Sequence, residues 1–277
     1  MKISGKTKVM GLLGYPVDHS LSPSMHNAAF ERLKLDCCYV TFSVRPELLH
    51  DAVKAIKALN LAGVNVTVPH KERVIPFLYA VDKEAAFIGA VNTIVTQSAS
   101  GGGRLIGYNT DGRGFMKSLS ESRISVNNKN ILIIGAGGAS RAIGYYLSQK
   151  ASGLFLYDVD KKKAARLVKD LNKLCGNVSF MKNMNQLDGI DVIINATPLG
   201  LRKGDSLPVN ANLLKQRHVV CDLIYKKTPL LEIASKKGCK TLNGLGMLLW
   251  QGVFAFELWT GKKPPVDVMR KALIRNG

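Results

Sequence analysis

The sequence predicts an α/β protein of two units, and three observations carry that expectation. Apolar runs of strand length alternate with helix-period segments almost from end to end, the mark of parallel α/β construction. The alternation breaks once, near residue 100, and restarts at "NILIIGAGGASRAIGYYLSQK", a strand, a glycine turn and a helix. At 277 residues the chain is also longer than one average domain.

The first half reads as strand 8–14, helix 23–34, strand 37–43, helix 46–58, strand 62–67 and helix 69–79. "NTIVTQ" and "RLIGYN" flank the polar, glycine-rich stretch from Ser98 to Gly103, which makes a hairpin the expectation there. A helix over 111–121 follows, then "SRISVNNKN", whose polarity marks it as a candidate linker. The second half continues with strand 153–158, helix 161–173, strands 191–195 and 218–223, and helix 229–236. "NGLGMLLWQGVFAFELWTG" is apolar on most faces of a helix, so it must be buried, in the expectation against the first unit. A last helix spans 265–275.

Composition excludes several classes. No apolar run approaches the length of a membrane span, and the N-terminus lacks the apolar core of a secretory signal, so a cytoplasmic protein is expected. Five cysteines form no Cys-x-x-Cys pair, and five scattered histidines show no ligand spacing, so neither a disulfide framework nor a metal is expected. The formal charge of +19 fits either a nucleic-acid binder or a basic protein with small anionic partners. Lysines and arginines are spread along the chain without interleaved stacking aromatics, which favours the second reading.

Gly135, Gly137 and Gly138 stand between the apolar run "ILII" and a helix, the context in which glycines let a backbone approach a pyrophosphate at a helix N-terminus. Ser140 occupies the third position, where the common fingerprint has Gly or Ala. Asp158 ends the next strand, 23 residues after Gly135, the distance at which a carboxylate binds the adenosine ribose. A carboxylate there repels a 2′-phosphate, so NAD is favoured over NADP, although Lys161, Lys162 and Lys163 offer that phosphate a counter-charge. Tyr146 and Lys150 reproduce the Tyr-x-x-x-Lys pair of short-chain dehydrogenases, but on the first helix after the glycine turn, where packing is the expected role.

Taken in order, "GYPVDHSLSPSMHN", "NVTVPHK", "GAVNT", "GYNTDG", "GAGGASRA", "NATPLG", "DLIY" and "NGLGMLLWQG" resemble the shikimate dehydrogenase family over about residues 9–275. The resemblance implies a substrate-binding domain, 1–110 completed by 243–277, and a Rossmann domain, 111–242, with the active site in the cleft between them. It implies reversible hydride transfer between a nicotinamide cofactor and C3 of shikimate, in the pathway to aromatic amino acids. The partner is then a small anion, which a basic protein steers inward, with no nucleic acid or membrane involved and a monomer or homodimer expected.

By the same resemblance Lys71 and Asp111 are the catalytic pair. Loss of hydride from an alcohol requires loss of its hydroxyl proton, so an acid/base must reach that oxygen. A neighbouring carboxylate and a cationic ring pull a lysine's protonation in opposite directions. Ser20 and Ser22 match the hydroxyls that bind the substrate carboxylate, although Ser22 before Pro23 also suits a helix cap. Asn65, Thr67 and Asn92 match polar groups around the ring hydroxyls, with Tyr225 and Gln251 as further contacts. An amide inside "MLLWQGVFAF" needs a partner if buried. Cofactor contacts fall on Gly135, Ala136, Gly137, Gly138 and Ala139, then on Asp158, Leu223 and Gly244.

Two departures stand out. NADP-using members usually carry Asn-Arg-Thr where this chain has Asp158-Val159-Asp160, so an arginine able to pair with phosphate is missing. The loop between Tyr225 and Thr228 is shorter by two residues, which weakens Tyr225 as a contact. The alternatives are an NAD-dependent quinate or quinate/shikimate dehydrogenase, a basic nucleic-acid-binding Rossmann protein, and a catalytically silent nucleotide sensor.

Overall fold

The computed structural model describes residues 2–97 and 103–276. Its compact units are residues 1–110 with 249–277 (unit 1) and 111–248 (unit 2).

Unit 1 begins β1 (Lys8–Gly14), α1 (Ser22–Arg32), β2 (Cys37–Ser43), α2 (Leu49–Ala58) and β3 (Gly63–Val66). The helix α2 turns Leu49, Val53 and Ile56 inward, the spacing of one helical face, onto Val64, Val66 and Ile94 of the sheet. Then come β4 (Ala80–Val81), α3 (Lys83–Ile88), β5 (Thr93–Gln97) and β6 (Arg104–Tyr108). The sheet order is β2-β1-β3-β5-β6-β4, with β1 parallel to both neighbours and β5 antiparallel to β3 and β6. The expected hairpin is present, pairing Thr93 with Tyr108 through to Gln97 with Arg104; residues 98–102 of its loop lie outside the described residues.

The expected helix over 69–79 does not form. Turns fill it instead, His70 N–H bonding to the Thr67 carbonyl and Val74 N–H to the His70 carbonyl, with only a single 3-10 turn at Ile75–Phe77. Pro76 lacks the N–H that a continuing helix needs. The short α3, capped by the Asp82 carboxylate and closed by Gly89 at φ 71°, has no counterpart in the sequence reading.

Unit 2 runs α4 (Asp111–Glu121), β7 (Asn130–Ile134), α5 (Gly138–Ser148), β8 (Gly153–Tyr157), α6 (Lys161–Leu171), β9 (Val178–Phe180), β10 (Val192–Asn195), β11 (Val219–Asp222), α7 (Pro229–Lys236) and β12 (Lys240–Leu242). Every pair in its sheet is parallel, in the order β12-β11-β10-β7-β8-β9, the doubly wound arrangement of dinucleotide-binding folds. The short strands β9 and β12 escaped the sequence reading, which is sensitive to runs longer than three residues. The polar stretch 122–130 lies inside this unit, with Ile124 and Val126 buried.

The chain closes with α8 (Leu245–Thr260) and α9 (Val266–Asn276), returning to unit 1 at Leu249. There Phe256 stacks on Phe30 at 5.4 Å, and Trp259 Nε1 donates to the Ile94 carbonyl at 3.0 Å. Gly63 allows this, because a Cβ there would collide with the Trp259 ring. The apolar helix is therefore buried against the first sheet, as its composition requires. No helix among the described residues is long and apolar enough to cross a membrane.

Candidate active site

In open α/β sheets ligands bind beyond the carboxyl ends of the strands, where consecutive connections leave in opposite directions. In unit 1 that point lies at β1 and β3. The segment holding Ser20 and Ser22 follows β1, and Thr67 and Lys71 follow β3. Gly14 brings the two ends together, since a Cβ on it would collide with the Thr67 methyl.

Ser22 is the first residue of α1 rather than its cap, which is Leu21 and makes no side-chain cap bond. The capping reading of Ser22 is therefore corrected. Ser20 Oγ accepts the Ser22 N–H at 3.3 Å, and Ser22 is buried. Tyr39 O–H donates to Asn65 Oδ1 at 2.8 Å. Asn65 Nδ2 in turn donates to the Asn92 carbonyl and to Thr93 Oγ1, each at 3.1 Å. Asn92 Oδ1 accepts from the Thr110 N–H at 2.8 Å and from Thr93 Oγ1 at 3.0 Å. Its amide nitrogen donates to Thr110 Oγ1 at 2.9 Å and reaches Gln251 Oε1 at 3.5 Å.

Three sequence-expected residues, Asn65, Asn92 and Gln251, thus fall in one buried polar network of unit 1, where satisfied partners offset the cost of burial, while Ser20 and Ser22 bond to each other at the start of α1. Tyr39, Thr93 and Thr110 are its members that sequence reasoning missed. Tyr39 reads there as an ordinary strand residue, and only the motifs "GAVNT" and "GYNTDG" signalled the two threonines. Lys71 is partly exposed, and its carbonyl accepts the Val91 N–H at 2.8 Å.

The other expected residues lie in unit 2. Its switch point lies between β7 and β10, and the glycine turn follows β7. Gly135 has φ 107°, which other residues rarely adopt, and a Cβ there would meet the Ala196 carbonyl oxygen at 2.9 Å. A Cβ on Gly137 would meet nothing, so this face of the turn is open to a ligand at the N-terminus of α5. The turn therefore fits a dinucleotide pyrophosphate, with the Gly138 and Ala139 end of the helix toward it. Ser140, at the third fingerprint position, is fully buried and its hydroxyl has no hydrogen-bond partner among the described residues.

Asp158 is drawn onto this turn. Its Oδ2 accepts the Ala136 N–H at 2.7 Å and its Oδ1 the Asp160 N–H at 2.8 Å. Both oxygens thus carry structural bonds, which the sequence reading of a ribose ligand did not foresee. Asp160 caps α6 by accepting from the Lys162 and Lys163 N–H groups. Leu223 and Gly244 are pressed together: a Cβ on Gly244 would collide with the Leu223 carbonyl, and the Gly244 N–H bonds to the Ile224 carbonyl at 3.0 Å. Tyr225 is half-buried, and burial pushes its phenol up. Asp111 opens α4 and is buried, and Tyr146 accepts from Arg113 Nε at 3.0 Å beside Gly112, which gives it a packing role on α5.

A further cluster, unforeseen except through "NATPLG" and "DLIY", joins the ends of β10 and β11. Asp222 accepts from Asn195 Nδ2 at 3.1 Å, Thr228 Oγ1 at 2.7 Å and the Ile224 N–H at 3.0 Å. Burial pushes its carboxyl up, against these three donors.

Residues 12–94 match the family model of the shikimate dehydrogenase substrate-binding domain, and residues 244–274 that of the shikimate 5'-dehydrogenase C-terminal domain. The shikimate dehydrogenase (NADP(+)) of Desulforamulus reducens is 48% identical over 286 residues, covering 98% of this chain and 96% of its own. The chain belongs to the shikimate dehydrogenase family. Among solved structures, a family member in complex with NADP+ superposes with a TM-score of 0.91 at 43% identity, covering 99% of this chain and 97% of its own. The Listeria monocytogenes member, in complex with shikimate and NAD, gives 0.87 at 37% identity, covering 98% of each chain. The family thus includes structures with either nicotinamide cofactor, while the 48% identical relative is named for NADP+. The lean toward NAD drawn from Asp158 finds no support in that relative.

Proposed function

We propose that this chain is a shikimate dehydrogenase that interconverts shikimate and 3-dehydroshikimate with NADP. The observation that carries this reading is near-full-length likeness to relatives of that name, in a chain whose unit 1 gathers Asn65, Asn92 and Gln251 into one network and pairs Ser20 with Ser22.

The serine hydroxyls receive the substrate carboxylate, and the amides of Asn65, Asn92 and Gln251 with Thr67 receive the ring hydroxyls. The glycine turn Gly135 to Ala139 and the N-terminus of α5 hold the pyrophosphate, with Leu223 and Gly244 as further cofactor contacts and Tyr225 as a further substrate contact. The nicotinamide, when bound, takes or gives the hydride at C3. Lys71 handles the accompanying proton. As an amine it accepts the C3 hydroxyl proton when the alcohol is oxidised, and as an ammonium it returns that proton to the carbonyl oxygen in reduction. Asp111, the other member of the expected catalytic pair, accepts from the ring hydroxyl next to C3.

NADP is proposed over NAD for two reasons. The Asp158 carboxylate, whose charge was the argument against a 2′-phosphate, is turned onto two backbone N–H groups. Lys161, Lys162 and Lys163, all exposed at the start of α6, supply three positive charges beside it. Steady-state rates for NADP+ and NAD+ against shikimate and quinate test the whole reading. NADP+ with shikimate is expected to give the largest kcat/KM; faster turnover of quinate, or preference for NAD+, would refute the corresponding half.

A further inference from the structure

Tyr39 lies in β2, outside every motif the sequence singled out as a contact, and it is 1% exposed. Its position is fixed from three sides. Asn27 of α1 bonds both its backbone groups, Nδ2 to the Tyr39 carbonyl at 2.9 Å and Oδ1 from the Tyr39 N–H at 2.8 Å. The ring stacks on His26 at 4.5 Å, and Trp259 closes the far side at 6.0 Å.

The phenol oxygen held this way sits against one of the proposed substrate ligands, its single proton going to Asn65 Oδ1 at 2.8 Å. The Asn65 amide gives one N–H to the Asn92 carbonyl and the other to Thr93 Oγ1. Without the tyrosine proton the amide loses one of the three bonds that fix it, the one on its oxygen.

We propose that Tyr39 is a positioning residue for the substrate: its hydroxyl holds Asn65 in the orientation that meets a ring hydroxyl. This rests on the substrate reading given above. Tyr39 touches no reacting atom, so its contribution falls on binding rather than on the proton or hydride step.

The test is Tyr39→Phe, which keeps the ring stack and removes one oxygen, measured alone and with Asn65→Ala in a double-mutant cycle. Tyr39→Phe is expected to raise the KM for shikimate about tenfold, the scale of one lost hydrogen bond, with kcat within about twofold and the KM for NADP+ unchanged. In the Asn65→Ala background the same change is expected to move KM less than about twofold, because the residue it acts through is gone. A merely structural role would shift melting temperature and both KM values together. If Asn65→Ala raises the shikimate KM but Tyr39→Phe does not, or the two effects simply multiply, the substrate reading stands and the role of Tyr39 is refuted. If Asn65→Ala itself leaves the shikimate KM unchanged, the placement of the substrate is wrong and the role of Tyr39 falls with it.

Discussion

His26 makes acid a specific threat to unit 1. It is fully buried among Tyr39, Phe30, Phe256 and Trp259, neither ring nitrogen has a hydrogen-bond partner, and burial pushes it from 6.5 down to about 3. Above the ordinary histidine pKa neither the folded nor the unfolded state binds the proton, and the residue has no effect on the pH dependence. Between that value and the folded one, only the unfolded chain is protonated, so stability falls by about 1.4 kcal/mol per pH unit as pH drops. At about pH 4.5 the accumulated loss is about 3 kcal/mol relative to neutral pH.

His26→Leu should remove this slope whatever the substitution does to packing at neutral pH. The assay is urea unfolding followed by tryptophan fluorescence at several pH values. Both tryptophans, Trp250 and Trp259, lie in unit 1, so the signal reports the unit that holds His26. The acids held below their ordinary range, Asp170, Asp188 and Asp205, and the depressed His218 all lie in unit 2. The displaced groups Cys37, Cys38 and Tyr39 of unit 1 are raised and act on the alkaline side. Parallel pH profiles for the wild type and His26→Leu would refute the reasoning.

Three other outcomes follow from single contacts. Ser140→Ala should stabilise the protein by about 1 kcal/mol, since it deletes a buried hydroxyl without a partner and adds helix propensity, as thermal or urea unfolding will show. Gly244→Ala should cost about 3 kcal/mol or more in the same measurement, because its methyl collides with the Leu223 backbone carbonyl, which no side-chain rotation can relieve. Replacing Lys161, Lys162 and Lys163 together by glutamine should raise the KM for NADP+ about tenfold or more while leaving that for NAD+ within about twofold in steady-state assays.

Long elements with a clear period were legible in the sequence. β1 and β2 fall on the expected residues, and the glycine turn lies where the strand-to-helix context put it. Failures trace to physical causes that pattern does not carry. Residues 69–79 hold apolar residues at helix spacing, yet Pro76 and the turn at His70 leave no run of backbone bonds long enough for a helix. At the candidate site, the residue types that bind polar groups were legible as motifs, but the bonds that orient them were not. Tyr39 and Thr93 sit on strands, where their burial is expected for ordinary packing, and their partners Asn65 and Asn92 lie 26 and 1 residues away. Asp158 is a further case: its spacing from Gly135 suggests a ribose ligand, and the bonds its oxygens accept from Ala136 and Asp160 were not legible in that spacing. Spacing reports which residues reach a place, not which bonds they make there.

The central claim is that this chain oxidises shikimate with Lys71 as the proton acceptor. Shikimate-dependent reduction of NADP+, measured side by side for the wild type and Lys71→Ala, tests it most directly. The account predicts wild-type turnover and a loss of kcat of about 10² to 10⁴ in the variant, with the KM for shikimate changed only a few-fold. A wild-type protein that leaves shikimate unoxidised, or a variant that retains kcat within about tenfold, would contradict it.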